Sequence, residues 1–334
     1  MSLSAWQHPT LKRNLRNLSN LRLLFFGFGR KRTAVSTARR HGTLPRWIAR
    51  LLDSAVPFLL PTLAINVAII LIPGLLTIAM AFFEWDGASA PTFVGLDNFR
   101  TIFADPVFFS ALINNIKWTA IFLTIPIAMG LGAGSLLLVA RRGRTFFQVV
   151  YFLPVVIATV VVARVWQGMI YNPESGLVGW FKFYGITLAD PLTQPPTALY
   201  AVASVDLWHW WGFLAVIFLA AYRQVDSAQI EAAVIDGASF FQLMRYVLIP
   251  AIRPTITLMI IMTIIWSFLA FDFVYVLTQG GPAYASEVLS TLSYRYAFYN
   301  YTMGPAAAVA LVISFFGLIA TFFYVRIQQR ERVQ

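Results

Sequence analysis

Six long apolar runs separated by shorter polar stretches dominate the chain, at residues 56–83, 114–140, 146–170, 198–222, 254–277 and 305–325. Each is at or above the roughly 20 residues that cross a bilayer. A segment in lipid must satisfy its own backbone hydrogen bonds, so the runs are expected to be α-helices. None shows the ten-residue alternation of a membrane barrel. The expected fold is therefore an all-α membrane protein with six transmembrane helices.

The polar stretch 223–253, between the fourth and fifth runs, carries its own helical pattern. Ser227 is placed to cap a helix starting near Ala228, with Glu231 supporting its first turns. Gly237 is placed to stop or bend that helix, and Ser239 to cap a second. Phe240, Leu243, Met244, Val247 and Leu248 then recur at helical spacing, with Pro250 and Pro254 marking the end before the fifth run. The first helix presents small residues and two carboxylates, Glu231 and Asp236. Small side chains allow a partner to approach the backbone closely, and the carboxylates suit basic groups on it. A solvated hairpin between spans is the plainer reading of the same residues.

Composition narrows the class further. The chain is 59% hydrophobic and 12% charged, about half the charge of a soluble domain, which excludes a soluble enzyme. The absence of cysteine excludes disulfides, thiolate metal sites and cysteine nucleophiles. His8, His41 and His209 lack zinc-ligand spacing. The net charge of +11 resides entirely in residues 1–52, which hold 11 Lys and Arg and no acid. No apolar core with a cleavage site precedes Val56, so 1–54 reads as a retained basic arm, and 55–330 as the membrane domain. The arm is either a helix on anionic headgroups or an unstructured positive-inside signal. The arm, 141–145, 223–253 and the C-terminal tail together hold 20 Lys and Arg; the opposite connections hold Arg100, Lys182 and Arg295. This asymmetry puts both termini in the cytoplasm.

The polar stretch also carries a resemblance. Glu231, Ala232, Ala233, Asp236, Gly237, Ala238 and Pro250 match, at the right spacing, the EAA motif of bacterial ABC importer permeases. Four further segments resemble the carbohydrate-importer branch, and in it the first of two paired permeases, of the maltose and glycerol-phosphate type. They are Gly95–Phe99, Leu153-Pro154, Asn172–Val178 and Thr278–Pro282. The resemblance implies the type I ABC importer permease fold, located in the bacterial inner membrane. It implies four kinds of partner surface: a second permease forming a heterodimer, two ATPase subunits, an extracytoplasmic sugar-binding protein and the bilayer, with no nucleic acid. The chain contains no Gly-x-x-x-x-Gly-Lys-Ser/Thr sequence, so ATP and Mg belong to the partner ATPase and this chain carries no catalytic residue, cofactor or metal of its own. By the resemblance, Glu231, Ala232, Ala233, Asp236, Gly237 and Ala238 form a coupling helix that docks on that ATPase.

Polar groups inside spans are costly and mark candidate sites. Asp206, His209, Trp210 and Phe213 share one helical face. A carboxylate accepts sugar hydroxyls while aromatic faces cover sugar C–H patches. Thr263, Trp266, Ser267 and Ala270 share a face of the fifth span. Both sets correspond to ligand-facing positions in the resembling permeases. Ordinary helix packing is the plainer account of the second set. Asp272 reads as a gate or structural pair. Arg164 reads as a structural ion-pair partner of Asp206 or Asp272, or, in the alternative, as the group binding an anionic sugar derivative, a polyol phosphate or a sulfonate. Two other classes fit less well. A membrane-embedded enzyme would want a carboxylate dyad, which the scattered outer acids do not form by spacing. An ion-coupled secondary transporter would want internal repeats.

Overall fold

The computed structural model describes residues 56–140 and 142–331, with side chains from 59 onward to 329 except that of Arg141. The basic arm 1–54 lies outside the described residues. The chain divides into two units, residues 1–64 and 65–334. In the first, the described residues 56–64 are helical.

Among the described residues, the second unit consists of helices, one short hairpin and the connections between them. After a helical start, α1 (Ile72–Met80) leads into β1 (Phe83–Glu84) and β2 (Thr92–Phe93), paired antiparallel with Phe83 opposite Phe93. Then follow α2 (Asp97–Ala104), α3 (Pro106–Val139), α4 (Arg144–Val156), α5 (Thr159–Ile170) and α6 (Leu177–Trp180). The remainder is α7 (Pro195–Tyr222), α8 (Ser227–Ile235), α9 (Phe240–Ala251), α10 (Arg253–Phe268), α11 (Asp272–Leu277), α12 (Leu289–Phe298) and α13 (Met303–Glu331).

Among the described residues, five helical segments are long and apolar enough to cross a membrane: Leu59–Met80, Pro106–Val139, Pro195–Tyr222, Arg253–Leu277 and Met303–Gln329. The sixth expected span, 146–170, is not one rod. α4 and α5 meet at 97°, with Ile157 and Ala158 extended at the elbow. Pro154 removes a backbone donor, and the β-branched run Val155, Val156 and Ile157 weakens the helix beyond it. The second span also starts earlier than its apolar run. Asp105 caps α3 by accepting from Val107 N (2.8 Å), and Pro106 occupies the first turn, where its missing N–H costs nothing.

Three apolar clusters hold the unit together. One joins Trp118 and Phe122 of α3 to Val202 and Val205 of α7 and to Phe273 and Val274 of α11. A second joins Phe108 of α3, Phe268 of α10, Leu289 and Leu292 of α12, and Ala306–Val309 at the start of α13. The third sits where the 223–253 loop meets the bundle: Leu214, Phe218 and Tyr222 of α7 pack on Leu243, Met244 and Leu248 of α9. The α3–α7 crossing is close because Gly130 and Gly134, one turn apart, face Leu214, Ala215 and Phe218.

Buried amides fasten the segment between α11 and α12. Asn115, fully buried, donates to the Ser267 carbonyl (2.9 Å) and accepts from Leu289 N (2.8 Å). Asn114 donates to the carbonyls of Ala285 (3.0 Å) and Glu287 (2.9 Å). The irregular backbone there is thus satisfied from α3. Beside it, fully buried Glu287 accepts from Arg295 Nη2 (2.7 Å), which also donates to the Gln279 carbonyl (2.8 Å). Burial holds the Glu287 carboxyl above its ordinary range, while Thr291 and Arg295 pull it back. Breaking a buried pair strands a charge. Arg295→Met is therefore expected to destabilise the protein by about 3–5 kcal/mol, read as a lower melting midpoint in detergent. Adding Glu287→Gln should recover part of the loss. Equal midpoints for the two variants would show that Glu287 carries no stranded charge.

Candidate functional site

One cavity, about 850 Å³ including its mouth, lies among five helices. α7 contributes Asp206, His209 and Trp210. α10 contributes Thr263, Trp266 and Ser267. The chain then breaks at Leu269–Phe271 before α11, and Ala270, Phe271, Asp272 and Phe273 also reach the lining. The Ala270 carbonyl freed by the break accepts from Ser290 Oγ. α3 adds Trp118 and Phe122, and Thr159 enters from the elbow that opens α5.

The aromatic walls are ordered by ring contacts. Trp210 and Trp266 meet edge to face, with centroids 4.6 Å apart at 82°. His209 meets Phe273 at 5.4 Å and 71°. Among the described residues, two polar atoms on the lining have no hydrogen-bond partner: His209 Nε2 and the hydroxyl of Thr263, a residue only 2% exposed. Ser267 Oγ is engaged with the Thr263 carbonyl (2.6 Å). A buried hydroxyl without a partner costs free energy that a polar ligand would recover.

Of the nine residues singled out in the sequence for ligand contact, the structure brings seven to this cavity: Asp206, His209, Trp210, Thr263, Trp266, Ser267 and Ala270. Phe213 stands behind Trp210 (4.7 Å) and braces it. Arg164 is not on the lining. Its guanidinium donates to Gln167 Oε1 (2.7 Å) and is exposed, so the expected ion pair with Asp206 or Asp272 is not formed. The α4–α5 elbow explains the difference, because it turns the helix carrying Arg164 away from the line of a straight span. Trp118, Phe122 and Thr159 were not among the sequence candidates. The i, i+4 aromatic pair on α3 was the one available signal for the first two, and Thr159 had none.

The 223–253 loop is built by local capping. Asp226, not Ser227, caps α8, accepting from Ala228 N (2.9 Å). Asp226 has the extended backbone a cap needs, whereas Ser227 is already the first helical residue. α8 ends on Gly237 at φ +78°, where Gly237 N donates to the Val234 carbonyl (3.1 Å) and Ala238 N to the Ala233 carbonyl (3.0 Å). This is the Schellman stop, which needs a left-handed residue. Ser239 and Gln242 then cap α9 reciprocally (2.7 and 3.4 Å). Leu243, Met244 and Leu248 anchor α9 in the bundle. Glu231, Ala232, Asp236 and Gly237 are exposed, and Ala233 and Ala238 half-buried. Ile235 and Phe241, 84% and 82% exposed, flank them.

A polytopic helical protein with an aromatic cavity carrying a few polar groups inside its bundle, and an exposed helical loop between two of its spans, is built as the membrane subunit of a transporter. The family described as binding-protein-dependent transport system inner membrane component matches residues 125–333. A Bacillus subtilis protein named as a probable ABC transporter permease, YurN, is 35% identical, over 77% of this chain and 89% of that one. The diacetylchitobiose uptake system permease NgcF of Streptomyces coelicolor is 31% identical, over 84% of this chain and 86% of that one. Among solved structures, a bacterial ABC transporter that imports the acidic polysaccharide alginate has a chain of the same fold: TM-score 0.75, 23% identity, covering 86% of this chain and 99% of that one. The chain belongs to the binding-protein-dependent transport system inner membrane component family, and has the type I ABC importer permease fold.

Proposed function

We propose that this chain is the membrane subunit of an ATP-driven sugar importer, forming half of the translocation path, with both termini in the cytoplasm. The observation that carries the sugar assignment is the cavity: two carboxyl groups, Asp206 and Asp272, and two unpartnered polar atoms set among aromatic rings. Hydroxyls of the sugar satisfy Asp206, His209 and Thr263, and the indoles of Trp210 and Trp266 cover its C–H faces. The relative that serves diacetylchitobiose uptake supports the same class. Arg164 plays no part in this cavity.

The exposed face of α8 docks on a cytoplasmic ATPase, with Glu231 meeting a basic group there. Ala232, Ala233, Asp236, Gly237 and Ala238 form the contact surface. The loop lies between the two helices that carry most of the cavity's polar groups: α7 enters it and α10 leaves it. A displacement of α8 and α9 is therefore passed along both cavity walls, and closure of the ATPase pair rocks the path between its two openings. A second permease supplies the other half, an extracytoplasmic binding protein delivers the sugar, and ATP with Mg is bound by the ATPase. This chain is not catalytic.

Asp206→Ala is expected to weaken uptake about 10- to 100-fold, the loss of a charged hydrogen-bond acceptor, while the ATPase still co-purifies. Uptake by proteoliposomes of the complete transporter checks it. Unchanged uptake kinetics would place the sugar elsewhere.

A further inference from the structure

The cavity holds more acidic than basic side chains. Asp206 of α7 and Asp272 of α11 both line it. Among the described residues around it there is no lysine or arginine, and His209 is the one basic side chain. The ion pairs formed by described residues, Arg100–Asp97, Lys182–Glu174 and Arg295–Glu287, involve neither acid. The other feature that points to a ligand is the buried Thr263 hydroxyl without a partner. Low-dielectric aromatic walls surround the two acids, so a carboxylate's field there is screened less than it would be in bulk solution. A hydroxyl group donates to a carboxylate. A uronic acid brings a further carboxylate and finds only hydroxyls and one imidazole to meet it.

We infer that the cavity selects by charge, admitting uncharged, hydroxyl-rich sugars and excluding acidic ones, with Asp206 and Asp272 as the excluding groups. This rests on the cavity being the sugar site. The fold does not impose the selection, since an alginate importer shares it.

The test exploits the absence of cysteine from the chain. A single cysteine is placed on the lining by Ala270→Cys, and a reference cysteine on the surface by Thr187→Cys. In the complete purified transporter at pH 8, modification rates are compared for a trimethylammonium and a sulfonate methanethiosulfonate reagent. Both consume the same thiolate, so its reactivity cancels in their ratio. Relative to position 187, position 270 should favour the cationic reagent by about 10-fold or more. Asp206→Asn with Asp272→Asn should bring the ratio towards one. Where that pair fails to assemble, each single substitution should lower the ratio part of the way. A ratio near one, or one favouring the anion, with both aspartates present overturns the inference. The same cysteine then reports occupancy: glucose, maltose, cellobiose and diacetylchitobiose are tested as protectants against glucuronate. Protection by a neutral sugar and none by glucuronate supports selection, and equal protection by glucuronate overturns it. A high ratio with no protection by any of these sugars instead removes the sugar assignment and leaves the cationic preference standing.

Discussion

Gly212→Ala is expected to leave little correctly folded protein. A β-carbon at this position would stand 1.7 Å from the carbonyl oxygen of Tyr151 and 2.6 Å from its carbonyl carbon. The obstacle is backbone, which cannot rotate away as a side-chain tip can. Accommodation requires separating α4 from α7, and that separation would undo the Tyr151–Trp211 contact at 4.8 Å as well. Overpacking commonly costs 1–3 kcal/mol; a clash this deep is expected to exceed about 3 kcal/mol, a drop of at least roughly 4 °C in melting midpoint for a chain of this size. Size-exclusion profiles and melting curves of the solubilised complex measure it. A monodisperse variant with an unchanged midpoint would mean that the α4–α7 approach is looser than the structure has it.

Gly237→Trp is expected to fail differently, keeping the fold and losing transport. Nothing lies within 4 Å of the position where a side chain would begin, so the chain itself has room. The left-handed backbone at φ +78° costs a non-glycine residue about 1–2 kcal/mol, which lowers stability modestly. The indole would instead stand on the face proposed to meet the ATPase, beside exposed Asp236 and Ile235. Uptake should fall by about 100-fold or more, the effect of losing roughly 3 kcal/mol of interface energy, and the ATPase should no longer co-purify. Normal co-purification together with normal uptake would move the docking surface off α8.

The contrast between these glycines shows what was legible in the sequence. Gly237 could be read because its role is local: a small-residue helix, a left-handed stop and a capping serine follow one another within a few residues. Gly212 could not, because its role depends on α4, some 60 residues earlier in the chain and brought near only by folding. The cavity divides in the same way. Asp206, His209 and Trp210 declare themselves by helical spacing, and Thr263, Trp266 and Ser267 do so on the next span. Trp118, Phe122 and Thr159 come from other helices, and Asp272 joins them through a break at Leu269–Phe271 that the apolar run 254–277 conceals. Asn114 and Asn115 stand where the apolar run 114–140 begins, yet they lie well inside α3 and satisfy a distant backbone. Polarity marks a boundary only where water, and not another segment of chain, is its partner.

The two helices flanking α7 also differ in what they do under load. α3 is one unbroken helix of 34 residues, continuous through Pro126 and therefore about 51 Å long. That exceeds the roughly 30 Å of hydrocarbon it has to cross, so it must lean or project beyond the lipid. α4 and α5 cover a comparable stretch of chain with a 97° elbow in the middle. One neighbour is a strut and the other a jointed arm. A push on α7 is borne by the first and taken up as bending by the second, so the wall of the cavity that gives way is the one at Thr159.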